Sequence, residues 1–60
     1  MIRILIADDH DLMRVGLRSL IEAQPDLEVC GEAINGEDAL EKVKSLCPDI
    51  IVLDVSMPIP

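Results

Sequence analysis

The sequence has no Phe, Trp or Tyr, so any core it builds is aliphatic. Basic residues are scarce as well: five Lys and Arg face twelve Asp and Glu, a net charge of -7. Phosphate backbones and anionic membranes repel such a chain, which excludes direct DNA binding by it and any membrane-surface partner. Long apolar runs are missing. None approaches the roughly 20 residues a membrane span needs, and Met1-Ile2-Arg3 leads straight into strand-like sequence without the anatomy of a signal peptide. Cytoplasm is the expected compartment. Cysteine is confined to Cys30 and Cys47, which form no CxxC pair and have only His10 as a further nitrogen or sulfur ligand, so zinc is not supported and two reduced, mostly buried thiols are expected. At 60 residues the chain buries only about 60% of the surface it exposes when unfolded, which excludes a large enzyme and leaves the core marginal. There is no linker, low-complexity tract or conventional repeat.

What is present is globular composition, half apolar and 28% charged, which excludes disorder. Ile2 to Ala7 is a continuous aliphatic run that stops at Asp8-Asp9, the form of a short strand covered on both faces. Between Asp11 and Gln24, Leu12, Met13, Gly16, Leu17, Leu20 and Ile21 recur at helical spacing, with Arg14, Arg18 and Glu22 on the other face. This predicts a helix whose first turn holds Asp11 and which Pro25-Asp26 ends. Leu27 to Ala33 alternates, with Leu27, Val29, Gly31 and Ala33 on one side and Glu28, Cys30 and Glu32 on the other, as expected of a half-exposed strand near a sheet edge. Asn35-Gly36 is a turn signal with Asn35 as N-cap, and Ala39, Leu40, Val43 and Leu46 form the buried stripe of a second helix that ends before Pro48. Lys42 and Lys44 fall on its solvated face. Asp49 opens the last aliphatic run, Ile50 to Leu53, which ends in Asp54. The order βαβαβ predicts an α/β fold with a parallel sheet and right-handed crossovers.

In such sheets ligands gather outside the carboxyl ends of the strands, and Asp8, Asp9 and Asp54 all fall there. Three converging carboxylates cost free energy unless a cation offsets them, and Mg²⁺, which takes oxygen ligands and keeps several waters, is the natural partner. The pattern therefore points to a cation-assisted phosphate site. The competing reading makes each aspartate a solvated strand end or helix cap. His10, at a helix start, is expected to be a polar neighbour of the cap without a catalytic role. Gly31 and Gly36 lack the Lys-Ser/Thr of a P-loop, which leaves nucleotide binding without support.

The run Ile4-Leu5-Ile6-Ala7-Asp8-Asp9-His10, then Arg14-Val15-Gly16-Leu17, Gly31-Glu32-Ala33, Asn35-Gly36-Glu37-Asp38-Ala39-Leu40 and Leu53-Asp54-Val55-Ser56-Met57-Pro58 closely resembles the receiver domain of two-component response regulators, over the whole chain. The wording is most similar to the subfamily whose receivers precede a LuxR-type helix-turn-helix domain. The resemblance implies the βαβαβ half of a flavodoxin-like doubly wound sheet, strand order 2-1-3. It implies Asp54 as phosphoacceptor, taking a phosphoryl group from a sensor histidine kinase or a small phosphodonor. It also implies Asp9 as a direct Mg²⁺ ligand, Asp8 acting mainly through water, and the Ser56 backbone carbonyl as a further ligand. Arg14 and Arg18, on the first helix, would lie on a kinase-docking surface.

Complete receivers add further strands and helices, with a Ser or Thr after strand four and a Lys after strand five, and neither is in this sequence. Residues 1–60 therefore read as a truncated receiver, and DNA contact would belong to a domain outside them. An uncovered third strand is expected to make the chain self-associate, by edge pairing or by exchange of elements. Two rival functions are a Mg²⁺-dependent phosphohydrolase, which would want a second acid where Ser56 stands, and a self-associating scaffold without phosphotransfer. The leading expectation is a phosphoacceptor module and not a turnover enzyme.

Overall fold

The computed structural model describes residues 1–54; Ser56, Met57 and Pro58 lie outside them. Five elements follow in the expected order: β1 (Ile2–Ala7), α1 (Asp11–Glu22), β2 (Leu27–Ala33), α2 (Gly36–Leu46) and β3 (Ile50–Leu53). The strands form one parallel sheet in the order β2-β1-β3. The chain steps to one side of β1 after α1 and crosses to the other side after α2. With crossovers of one hand, that reversal requires the helices to lie on opposite faces of the sheet, and they do. Gly31 and Leu5 face α2, since a Cβ on Gly31 would stand 2.7 Å from the Leu46 Cδ1 and 3.5 Å from that of Leu5. Glu32 faces α1, where it takes Arg14 and Arg18.

The core is the central strand. Ile4, Leu5, Ile6 and Ala7 are buried, and Ala33 and Ala39 join Ala7 in a small-residue layer under α2. Small side chains there let the N-terminal end of α2 lie close to the ends of β1 and β2. The entry to α2 is fixed by two bonds: the Asp38 N–H, a donor that the helix leaves open, donates to the Asn35 side chain at 2.8 Å, and the Ile34 N–H, one residue before the cap, donates to the Asp38 carboxylate at 3.2 Å.

The sequence pattern misplaces several faces. Val29 pairs with Ile4 but Gly31 pairs with Leu5, so Cys30 is an extra residue, a β-bulge in β2. An added residue reverses which side each later side chain occupies. The expected alternation therefore breaks at Cys30: Glu32 comes over to the α1 face, and Gly31 and Ala33 go to the α2 face.

Helix α1 meets that sheet face with its arginines. Leu12, Met13 and Leu20, expected in the core, are exposed, whereas Arg14 and Arg18, expected on the free face, reach Glu32 with Leu17 and Ile21 half-buried beside them. Two arginines can lie toward a sheet only because a carboxylate there receives them. Leu40 of α2 is likewise exposed. Lys42 leaves the solvated face it was assigned, donating to the Glu32 carbonyl and to the Asp38 carboxylate. The thiols are free, but Cys47 is exposed, not buried. It caps α2 in the left-handed region at φ 48° and donates its N–H to the Val43 carbonyl.

Candidate functional site

All three strands end at one level, and backbone bonds fix that level. The Asp8 N–H donates to the Ala33 carbonyl and the Asp54 N–H to the Ala7 carbonyl, each at 3.0 Å. Asp8 and Asp54 are thus held one residue beyond adjacent parallel strands, and Asp9 follows at the start of the β1–α1 loop. The aspartates that the sequence singled out are brought together as expected. Ligating atoms of Asp8, Asp9, His10 and Asp54 all lie within 4.8 Å of one another.

The three carboxylates differ in surroundings. The Asp8 side chain is 6% exposed, Asp54 19% and Asp9 41%, so Asp8 is the floor of the site and Asp9 its rim. Asp8 accepts the His10 backbone N–H at 2.9 Å, an arrangement that closes the loop locally.

The residue that sequence reasoning left without a role is His10. It occupies the N-cap of α1 but makes no side-chain cap bond. Its Nδ1 instead stands 3.0 Å from Asp8, 2.9 Å from Asp9 and 3.5 Å from Asp54. With carboxylates as its neighbours Nδ1 carries the hydrogen. The bond to Asp8 above all, and then the charge of Asp9, hold the His10 pKa above the ordinary histidine value, against a smaller lowering by desolvation. The sequence shows its place, directly after two aspartates at a helix start, but not the direction of its ring.

A direct check follows. His10 is the only histidine, so its ring protons give a single NMR titration curve, and the midpoint is expected above that of an unperturbed histidine. Asp8→Asn should lower it. Because the folded pKa is the raised one, the stabilisation from His10 is complete below the unfolded pKa and fades as pH rises through the folded one. An ordinary midpoint, unmoved by Asp8→Asn, would show that the ring is not held among the carboxylates.

The donor set suits a hard cation. Around Mg²⁺ at about 2.1 Å, opposite ligand oxygens lie roughly 4.2 Å apart, close to the spread seen here, and all three aspartates offer oxygen. Ser56 lies outside the described residues. No helix among the described residues is long and apolar enough to cross a membrane.

A sheet of order 2-1-3 with strand-end carboxylates meeting at its central edge defines an α/β module built to hold charge at one rim. The comparisons identify it: residues 4–59 match the model of the response regulator receiver domain, and the chain belongs to that family. It is 51% identical over 98% of its length to protein-glutamate methylesterase/protein-glutamine glutaminase 1 of Methanosarcina mazei, covering 16% of that protein. It is also 51% identical over 92% of its length to the nitrate/nitrite response regulator protein NarL of Escherichia coli K12, covering 26% of it. The solved response regulator domain of Thermotoga maritima CheB superposes with a TM-score of 0.93 at 45% identity, over 97% of this chain and 43% of that one. The chain thus spans well under a third of these curated relatives and less than half of the solved domain. The flavodoxin-like fold and the receiver family are shown by these likenesses.

Proposed function

We propose that Asp54 is the phosphoacceptor of this receiver and that Asp9 and Asp8 hold a Mg²⁺ ion beside it, with the Ser56 backbone carbonyl as a further ligand. The observation that carries the reading is the convergence of Asp8, Asp9 and Asp54 at one strand-end rim. Receiver domains interact with histidine kinases or phosphotransfer domains, and a kinase phosphohistidine or a small acyl phosphate is the donor. An Asp54 oxygen forms the new P–O bond as the bond from phosphorus to the donor nitrogen or oxygen breaks, leaving an aspartyl phosphate. Asp54 is suited to this because its backbone is fixed to Ala7, which sets the point from which its carboxylate leaves the strand end. When bound, the cation offsets the charge of the carboxylates and of the incoming phosphoryl oxygens. His10 would turn outward to admit it.

The relatives carry receivers ahead of different outputs, a methylesterase and a nitrate/nitrite regulator. The motif wording favours the second, so we assign residues 1–60 to the receiver unit of a cytoplasmic regulator that controls transcription through a separate DNA-binding domain.

Intact mass after incubation with Mg²⁺ and acetyl phosphate tests the proposal. One phosphoryl adduct is expected, dependent on the metal and absent from Asp54→Asn. A folded sample with no adduct, whose light scattering is unchanged by metal and donor and shows an oligomer, would favour the self-associating scaffold, with β3 edges paired between chains.

A further inference from the structure

Arg14 sits where β1, β2 and α1 meet beside the site. Its side chain is 13% exposed, and each face of the guanidinium is used. Nη1 donates to the Asp8 carbonyl at 2.6 Å, Nε to Glu32 Oε1 at 3.3 Å, and Nη2 to the Asp11 carboxylate. One side chain thus ties the end of β1, the end of β2 and the first turn of α1. A planar fork with fixed donors can meet three such acceptors together, and a lysine cannot.

The contact with Asp8 reaches past Asp8 itself. The Asp8 carbonyl oxygen and the Asp9 Cα belong to the same planar peptide unit, so a bond that fixes the oxygen fixes the point from which the Asp9 side chain leaves. Asp9 is the most exposed of the three carboxylates, and among the described residues its side chain is paired with His10. Asp8 is held by Ala33 and Asp54 by Ala7. The Asp8–Asp9 peptide is held by Arg14.

We propose that Arg14 is a positioning residue for the acidic site: its bond to the Asp8 carbonyl, braced by Glu32, sets the Asp8–Asp9 peptide so that Asp9 faces Asp54. The inference rests on the reading of the site as a divalent-cation site. It deepens that reading by naming the group outside the ligand set that aims its most mobile member.

The test compares the chain with Arg14→Lys and Arg14→Met. Two readouts are taken: affinity for Mg²⁺ by calorimetric titration, and the ¹⁵N order parameter of the Asp9 amide in chelator. Arg14→Lys keeps the charge but gathers its donors on one nitrogen, which cannot span the three acceptors, so it separates charge from geometry and guards against a Met variant that does not fold. Both variants are expected to bind Mg²⁺ roughly tenfold more weakly, the scale of losses when a partner outside the ligand set is removed. The Asp9 amide should become more mobile while the β1 amides stay rigid. Parent-like affinity in both variants, or a parent-like Asp9 amide, overturns the proposal. So does full rescue by lysine, which would make the effect one of charge. If the parent itself binds no Mg²⁺, the reading of the site has failed, and the Asp9 amide still decides whether Arg14 positions it.

Discussion

Leu5→Ala is expected to abolish the cooperative unfolding of this chain. Leu5 is 0% exposed in the central strand, with β2 on one side, β3 on the other and Gly31 beside it under Leu46. Truncating a fully buried leucine costs about 2–5 kcal/mol. At roughly 0.05–0.15 kcal/mol per residue, a chain of this length has about 3–9 kcal/mol in total. The loss therefore removes most of the margin, and no aromatic side chain is available to move into the space. Leu12→Ala is the control. It deletes the same atoms at a site 86% exposed and should shift stability by no more than about 0.5 kcal/mol. Thermal melts followed by circular dichroism distinguish the two; a Leu5→Ala melt that overlays the parent's would show that β1 is not the core.

The second large effect is a split in sign. Asp9→Asn is expected to weaken Mg²⁺ binding by on the order of 10- to 100-fold, since the affinity of an oxygen site follows its ligand charge. Metal-dependent phosphoryl transfer should fall with it. The same substitution should raise the melting temperature in alkaline buffer with chelator. There the imidazole of His10 is neutral, so its positive charge no longer offsets the repulsion among Asp8, Asp9 and Asp54; removing one of three like charges relieves it. Lower affinity together with higher metal-free stability is the signature of a site that holds charge for function. A fall in both would instead make Asp9 a structural residue.

The parts of the molecule that the sequence states plainly are those in which chemistry and pattern coincide. Runs of aliphatic residues ending in aspartate at Asp8 and Asp54 admit little but buried strands. Asn35-Gly36 with Asp38 three positions after Asn35 spells a capped helix. Those features carry the topology and bring the three carboxylates together. Helix α1 was harder because its periodicity identifies a stripe without saying what covers it. Leu12, Met13 and Leu20 are as regular as any core face and are nonetheless exposed, while the arginines find Glu32. Glu32 faces the arginines because of a bulge at Cys30, a residue whose identity announces nothing. His10 was missed for a related cause: its place at the N-cap was visible, but the direction of its ring depends on carboxylates that meet only in the folded chain.

That bulge gives β2 one residue of spare length. Cys30 is surplus to the pairing, so exchanging it for another side chain leaves the register as it is. Deleting it sets Gly31 directly after Val29, and Gly31, Glu32 and Ala33 keep Leu5, Ile6 and Ala7 as partners, and with them their faces, in a regular ladder. Glu32 still meets the arginines, and the brace behind Arg14 survives. A single-codon deletion at this point would spare the rim of carboxylates.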